Sequence, residues 1–430
     1  MFKYLLLLCC SFALSAKEKP NIILIMADDM GYGELSCTGH KDFKTPHLDK
    51  MAKDGALLTD FHSNGAVCSP TRAALMTGRY QNRSGIEGVV TAVGHRHTGL
   101  DLKELTMAEA LKARGYSTAM FGKWHLGYDP KFNPVHQGFD HFKGFVSGNI
   151  DYFSHIDQVG HEDWWIRDKK VKTPGYLTEI ITDYGIDFIE QNQEKPFFLY
   201  LAHGGPHYPY QGPNDGAYRT PGNPEPIYGA VDDKERAYKD MMASMDAEIG
   251  RILKKVKDLK LDTKTLIIFC SDNGGTGKYG SSNAPFRGTK NTFYEGGHRV
   301  PALFLWPGKI EANQTITDPV MTMDFMPTLM TLAGEQDIKN LDGVDLSSLL
   351  LKNKALAQRN LFWKKGKDFA VREAHWKLMS HKGKLELFDL EKDKAEKNDL
   401  SKSNVKQVEH MLKLYRQWEK DVCSGVAPRS

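Results

Sequence analysis

The sequence predicts an α/β fold. Its main part is a large, doubly wound, mixed but mostly parallel sheet flanked by helices, followed by a smaller C-terminal subdomain of antiparallel sheet plus one helix. Three observations predict it. Continuous apolar runs such as Asn21-Ile22-Ile23-Leu24-Ile25-Met26 alternate with amphipathic stretches, as strands buried on both faces of a parallel sheet do. Each main run closes directly on a polar cluster, where such folds place their ligand crevice. Around residues 350–360 the texture changes to short strand-like segments, which fits an antiparallel meander.

At 430 residues the chain can bury a large core, and length suggests about two or three domains. With 40% hydrophobic and 26% charged residues it is globular, and a net charge of +3 gives no reason to expect a nucleic-acid partner. Residues 1–16 read as a targeting segment, with Lys3 as the positive start, Leu5 to Cys10 as the apolar core and Ala13-Leu14-Ser15-Ala16 for cleavage. That run is too short to span a bilayer, so the expectation is an exported protein, periplasmic or secreted after cleavage, without stable membrane insertion. Cys37, Cys68, Cys270 and Cys423 remain after cleavage, too few and too far apart for a disulfide framework. Cys270 reads as a buried thiol. The predicted layout is 1–16 leader, 17–355 catalytic α/β domain and 356–430 C-terminal antiparallel-sheet subdomain.

In chain order, the first strand ends in Ala27-Asp28-Asp29-Met30-Gly31. Two adjacent carboxylates at the end of a buried strand repel unless a cation lies between them, which favours a hard divalent metal. Thr45-Pro46-His47-Leu48-Asp49 opens a helix to about Gly55, and residues 56–61 form a strand leading to Cys68-Ser69-Pro70-Thr71-Arg72. A small polar residue and a proline before good helix formers predict a helix start, with Ser69 near the N-cap and Pro70 at N1. Cys68 then faces free N–H groups at the positive end of a helix, a position that suits an anion and lowers a thiol's pKa.

Residues 105–114 predict a helix that Gly115 ends, and residues 116–121 a strand closing on Gly122-Lys123-Trp124-His125-Leu126-Gly127. The irregular, aromatic-rich stretch 128–175 is a candidate substrate-binding wall. A helix over 176–191 and a strand over 195–201 lead to Ala202-His203-Gly204-Gly205-Pro206-His207-Tyr208-Pro209. After a Pro/Gly-rich loop (210–230) come a long helix (232–259) and the strand 265–270, which closes on Ser271-Asp272-Asn273-Gly274-Gly275. A loop with Arg287, Lys290, Glu295 and Arg299 precedes a strand (300–306) and a helix (317–332). Segments 369–372, 376–379 and 385–390, with a closing helix over 405–418, form the C-terminal meander.

Gathered at one sheet edge, these residues define a chemistry. Oxygen ligands from Asp28, Asp29, Asp272 and Asn273 suit Ca2+ or Mg2+ rather than zinc. Arg72, Lys123 and Lys290 add positive charge suited to a tetrahedral oxyanion ester. Histidines near neutrality serve as acid and base on either side of the bond broken. A phosphate or sulfate ester fits; a peptide bond does not call for so much positive charge.

The stretch Cys68-Ser69-Pro70-Thr71-Arg72, continuing to Gly78-Arg79, resembles the signature of the type I, formylglycine-dependent sulfatases, and residues 122–127 resemble their second signature. Ala27-Asp28-Asp29, Pro206-His207-Tyr208-Pro209, residues 271–275, Arg287-Gly288-Thr289-Lys290 and residues 295–301 match in type and order. The resemblance covers nearly the whole chain after the leader. It implies that a formylglycine-generating maturation enzyme converts Cys68 to formylglycine, hydrated to a gem-diol. One Ca2+ per chain would then be held by Asp28, Asp29, Asp272, Asn273 and the modified Cys68. One gem-diol oxygen would attack sulfur while His207 protonates the leaving alcohol, and His125 would then help remove the second hydroxyl proton to expel sulfate. Arg72 would hold the gem-diol, and Lys123 and Lys290 the sulfate oxygens. His203 is a neighbour or a structural histidine.

The implied substrate is a sulfated saccharide, since export and layout resemble bacterial enzymes acting on algal galactans (carrageenan type) or glycosaminoglycans. Residues 94–98 and 151–155 are candidate sugar contacts or surface loops. A phosphatase or phosphonate-ester hydrolase of the same superfamily is the alternative, although such sites commonly place His where Asn273 follows Asp272. A glycan-binding protein on a retired sulfatase fold is the non-enzymatic reading, and it predicts lost ligands.

Overall fold

The computed structural model describes residues 19–335 and 339–430; the predicted leader lies outside the described residues. The strands of the first half are β1 Asn21–Ala27, β2 Ala56–Leu58, β3 Phe61–His62, β4 Ser117–Lys123, β5 His141–Phe145, β6 Trp165–Ile166, β7 Lys169–Lys170 and β8 Phe197–Ala202. The remainder are β9 Thr265–Ser271, β10 Ala302–Leu305, β11 Gln314–Ile316, β12 Val320–Met321, β13 Asn360–Lys365, β14 Asp368–Glu373, β15 Trp376–His381 and β16 Lys384–Asp389. Ten strands form the main sheet in the order β11-β2-β10-β9-β1-β8-β4-β5-β6-β7. Its centre is parallel, with β1 between β9 and β8 and β8 beside β4, while β10 runs antiparallel to β9 and to β2. The sheet is therefore mixed and mostly parallel, as predicted.

The side-chain period of two sorts β1 onto both faces. Ile22, Leu24 and Met26 join one apolar cluster, and Ile23, Ile25 and Ala27 another. On the first face pack α2 Cys68–Thr77, α3 Met107–Ala113, α7 Phe325–Leu332 and α8 Ser347–Lys352; on the second, α1 Pro46–Asp54, α4 Leu177–Gln191 and α5 Lys234–Asp258. The short α6 Glu295–His298 lies in the loop before β10, and α9 Val405–Cys423 closes the chain. β13 to β16 form a separate antiparallel sheet, and α9 covers it through Met411, Tyr415, Trp418 and Val422.

Several elements differ from expectation. Residues 317–332 do not form one helix. Val320 and Met321 instead pair in parallel with Phe61 and His62. The Asp324 carboxylate accepts from the Met321 amide at 2.7 Å and the Val344 amide at 2.9 Å, turning the chain so that the helix begins only at Phe325. The strand expected over 56–61 breaks into β2 and β3, which belong to different sheets. The meander has four strands rather than three, β13 being the addition.

Candidate active site

Because β9, β1, β8 and β4 are adjacent and parallel, their C-terminal ends share one edge, and the polar clusters of all four meet there. Asp28, Asp29, Cys68, Arg72, Lys123, His125, His203, His207, Asp272 and Asn273 are all buried. Asp29 and His125 have left-handed backbones (φ 66° and 57°), a conformation non-glycine residues rarely hold and one that collects at functional sites. Lys290 arrives on the loop before α6. Gly274 lets that loop close in, since a Cβ there would lie 1.9 Å from the Gly296 carbonyl oxygen.

Cys68 is the first residue of α2, with Val67 as N-cap; the helix starts earlier than Pro70 predicts. Ser69 caps a neighbouring loop instead, its Oγ accepting from the Val90 amide at 3.1 Å. The sulfur lies 3.5 Å from Asp28 Oδ1, 4.0 Å from Asp29 Oδ1 and 3.6 Å from Lys290 Nζ. Burial pushes its thiol well above the usual value, and Lys123 and Lys290 only partly oppose this. The helix terminus does not make a thiolate here; desolvation outweighs it.

Lys123 Nζ donates to Asp28 Oδ2 at 2.5 Å, and Lys290 Nζ spans Asp29 Oδ1 and Oδ2 at 2.6 and 2.7 Å. Arg72 turns to Asp272, with Nη2 and Nε at 2.8 and 3.1 Å from Oδ2, while its Nη1 donates to the Lys123 carbonyl at 2.8 Å. Burial and the Asp28 carboxylate push Asp272 up to about 6 against the pull of Arg72. Burial also works upward on Asp29, but Lys290, His207 and Lys123 outweigh it and hold Asp29 at about 2.

The donor set fits a hard divalent cation. The Asn273 amide donates through Nδ2 to Asp29 Oδ1 at 2.8 Å, and its buried Oδ1 has no partner among the described residues. An orphaned buried carbonyl oxygen costs roughly 1–3 kcal/mol, which a cation removes. Ligand atoms of Asp28, Asp29, Cys68 and His207 fall within 4.8 Å of one another. Three carboxylates here meet Arg72, Lys123 and Lys290, so the side chains alone leave no surplus positive charge for an anionic substrate.

The two histidines hold opposite tautomers. His207 Nδ1 donates to the Tyr208 carbonyl at 2.6 Å, so Nε2 faces the site, 3.6 Å from Asp29 Oδ2. His125 Nε2 donates to the Val90 carbonyl at 3.1 Å, leaving a buried Nδ1 with no partner. Burial pushes His207 down to about 3, partly opposed by Asp29, and takes His125 well below its usual value with help from Lys123 and Arg72. His203 is buried, its ring nitrogens have no hydrogen-bond partner among the described residues, and it does not line the cavity.

A cavity of about 300 Å³ opens above these groups, with Asp29, Cys68, His125, His207 and Lys290 at its base. Arg72 and Lys123 lie beneath it, reaching it only through the carboxylates they hold. Only part of the upper wall is legible in sequence. Tyr208 meets Tyr228 edge-on at 5.0 Å, Tyr210 meets Tyr279 likewise at 5.0 Å, and Lys278 sits beside them. The stretch 128–175 contributes Tyr128, Gly148, Asn149 and Gln158. Residues 151–155 do not line the cavity: the Asp151 carboxylate is buried, accepting from the backbone of Phe153, Ser154, Tyr218 and Arg219, and His155 stacks on Trp164. Within 94–98, His95 turns back to Thr91, and no residue of the five lines the cavity.

The Lys290 loop is braced from the C-terminal sheet. Lys377 is fully buried, with its ammonium 2.8 Å from Glu295, 2.9 Å from Glu396 and 3.2 Å from His298 Nε2. His62, Glu295 and His298 have metal-like spacing, but Lys377 already supplies the positive charge there.

The sulfatase family model matches residues 20–335, and the model described as N-sulphoglucosamine sulphohydrolase, C-terminal, matches residues 288–420. Arylsulfatase A of Homo sapiens is 36% identical over 391 residues, covering 83% of this chain and 73% of that protein. N-acetylgalactosamine-6-sulfatase of Sus scrofa is 34% identical over 385 residues, covering 82% and 69%. The crystal structure of Ps i-CgsB superposes with a TM-score of 0.85 at 31% identity, covering 96% of this chain and 95% of that one; it is also solved in complex with k-i-k-neocarrahexaose. Among the described residues no helix is long and apolar enough to cross a membrane.

Proposed function

The chain belongs to the sulfatase family and is a sulfuric ester hydrolase, and from that premise we propose that it removes sulfate from a sulfated carbohydrate. The carbohydrate is an algal galactan such as carrageenan, or a glycosaminoglycan, and the enzyme uses a formylglycine made from Cys68 and one Ca2+. The observation that carries this reading is the seat of Cys68, at a helix start on the cavity base between the Lys290 ammonium and the Asp28 carboxylate. A protonated, buried thiol is a poor nucleophile, which suits a precursor better than a working thiolate.

Formylglycine would supply a pair of geminal hydroxyls as the nucleophile at that seat. Asp28, Asp29, Asp272, Asn273 and the modified residue 68 would hold Ca2+, which when bound supplies the surplus positive charge that an anionic ester requires. Lys290 binds and orients sulfate oxygens from the cavity base, and Lys123 holds the Asp28 carboxylate beneath it. Arg72 fixes the Asp272 carboxylate. His207 presents Nε2 to the leaving-group oxygen; because Nδ1–H is committed to the Tyr208 carbonyl, it donates from Nε2 only as the doubly protonated ring, the form that the Asp29 carboxylate favours. His125 takes up a proton at its bare Nδ1. Tyr208, Tyr228 and Tyr279 offer aromatic surface to a sugar ring, and the Lys278 ammonium on the same wall suits a polyanionic saccharide. The saccharide complex of Ps i-CgsB and the naming of N-acetylgalactosamine-6-sulfatase support a carbohydrate substrate. The leader motif supports export.

The test is sulfate release from defined carrageenan and glycosaminoglycan oligosaccharides. At least one saccharide should be desulfated, with release suppressed by a calcium chelator and restored by added Ca2+. Release from none of them, or faster hydrolysis of 4-nitrophenyl phosphate than of 4-nitrophenyl sulfate, would overturn the proposal.

A further inference from the structure

We propose that residues 425–430 are a positioning strap that holds the active-site stretch Val89-Val90-Thr91 and, through it, His125. The proposal rests on the sulfatase reading for its effect on turnover, but not for its structural content.

The segment between α2 and α3 contains no regular strand or long helix of its own, yet it lines the cavity through Val89, Val90 and Thr91. The Val90 carbonyl accepts from His125 Nε2 at 3.1 Å, the contact that leaves Nδ1 as the basic nitrogen. Besides Ser69, whose Oγ accepts from the Val90 amide, residues 429 and 430 hold this stretch. The Arg429 amide donates to the Gly85 carbonyl at 2.8 Å, and the Gly88 amide donates to Ser430 Oγ at 2.9 Å. On the far side, Thr98 Oγ1 donates to the Arg429 carbonyl at 2.6 Å, and the Arg429 guanidinium pairs with Asp101 at 2.5 Å. The cavity-lining residues thus lie between two sets of anchors, the first supplied by Arg429 and Ser430 and the second by Arg429 alone. Gly85 is needed for the approach: its φ is 74°, and a Cβ there would lie 2.2 Å from the Ala427 carbonyl oxygen.

Upstream, Arg83 is held by Asp342 at 2.8 Å and by Asp421 of α9 at 2.6 Å. The C-terminal helix and the tail therefore clamp the same segment in succession. A half-exposed ion pair alone would count for little. Three hydrogen bonds and a close backbone approach added to it make a cooperative attachment.

The test compares the full chain with a variant ending at Gly425, together with R429A, in two readouts. Amide hydrogen exchange at Val90 and Thr91 should speed up by about tenfold or more in the shortened chain, with the central strands unchanged. The kcat on a sulfate ester, taken per folded molecule by circular dichroism, should fall by about tenfold or more while KM changes by less than about threefold. R429A should move both readouts in the same direction by a smaller factor. Unchanged exchange at Val90 and Thr91 would overturn the strap, as would a loss of kcat wholly explained by unfolded protein. Faster exchange with no sulfate ester cleaved by the full chain would leave the strap standing and count against the sulfatase reading.

Discussion

Cys68→Ala should abolish sulfate-ester hydrolysis, with an expected fall in kcat of about 10⁴-fold or more, the scale seen when a covalent nucleophile is removed. Cys68→Ser should be nearly as damaging, although it keeps an oxygen at the same place. Serine offers one hydroxyl where the expected formylglycine offers two, so a sulfated serine has no second hydroxyl through which to expel sulfate. The sulfur is buried among Asp28, Asp29 and Lys290, and its loss costs only about 1–2 kcal/mol of stability. Both variants should therefore unfold within a few degrees of the unsubstituted protein. Initial rates and thermal midpoints measured side by side check this. Ordinary steady-state turnover by Cys68→Ser would contradict the role given to residue 68.

His207→Ala should lower kcat on a sugar sulfate by about 10²- to 10⁴-fold, the usual contribution of a positioned general acid. The loss should depend on the leaving group. A sugar alkoxide is strongly basic and needs the proton that a doubly protonated His207 delivers from Nε2, whereas a nitrophenolate leaves readily without one. Activity on 4-nitrophenyl sulfate should accordingly fall much less than activity on the saccharide. An equal loss on both substrates would move His207 from proton donor to an orienting role beside Asp29, to which it lies 3.6 Å away.

Much of the site was legible because its residues are tied to strand ends. Asp28, Lys123, His207 and Asp272 each follow an apolar run, and parallel pairing of β9, β1, β8 and β4 brings such positions together. What sequence could not supply is direction and solvation. Arg72 lies one turn from Cys68 in the helix, but its guanidinium is taken by Asp272 and the Lys123 carbonyl. The helix terminus argued for a lowered thiol pKa, and complete burial reversed the sign. The helix expected over 317–332 failed for a similar reason, since pairing with β3 is a tertiary contact that local propensity does not carry. Tyr228 and Tyr279 reach the cavity from a Pro/Gly-rich loop and from the turn after Gly275, where no periodicity marks a wall residue. The tail that holds residues 85–101 left no sequence signal beyond Arg429 and Asp101, two charges more than 300 residues apart.

Mass spectrometry of the Cys68 peptide, from protein made in a host with a competent maturation enzyme, tests the proposed chemistry most directly. The peptide should be lighter than the thiol form by the exchange of a thiol and one hydrogen for a carbonyl oxygen. It should react with a hydrazide probe, and the modified fraction should rise in step with specific activity across preparations. An intact Cys68 thiol in a preparation that turns over sulfate esters would contradict it.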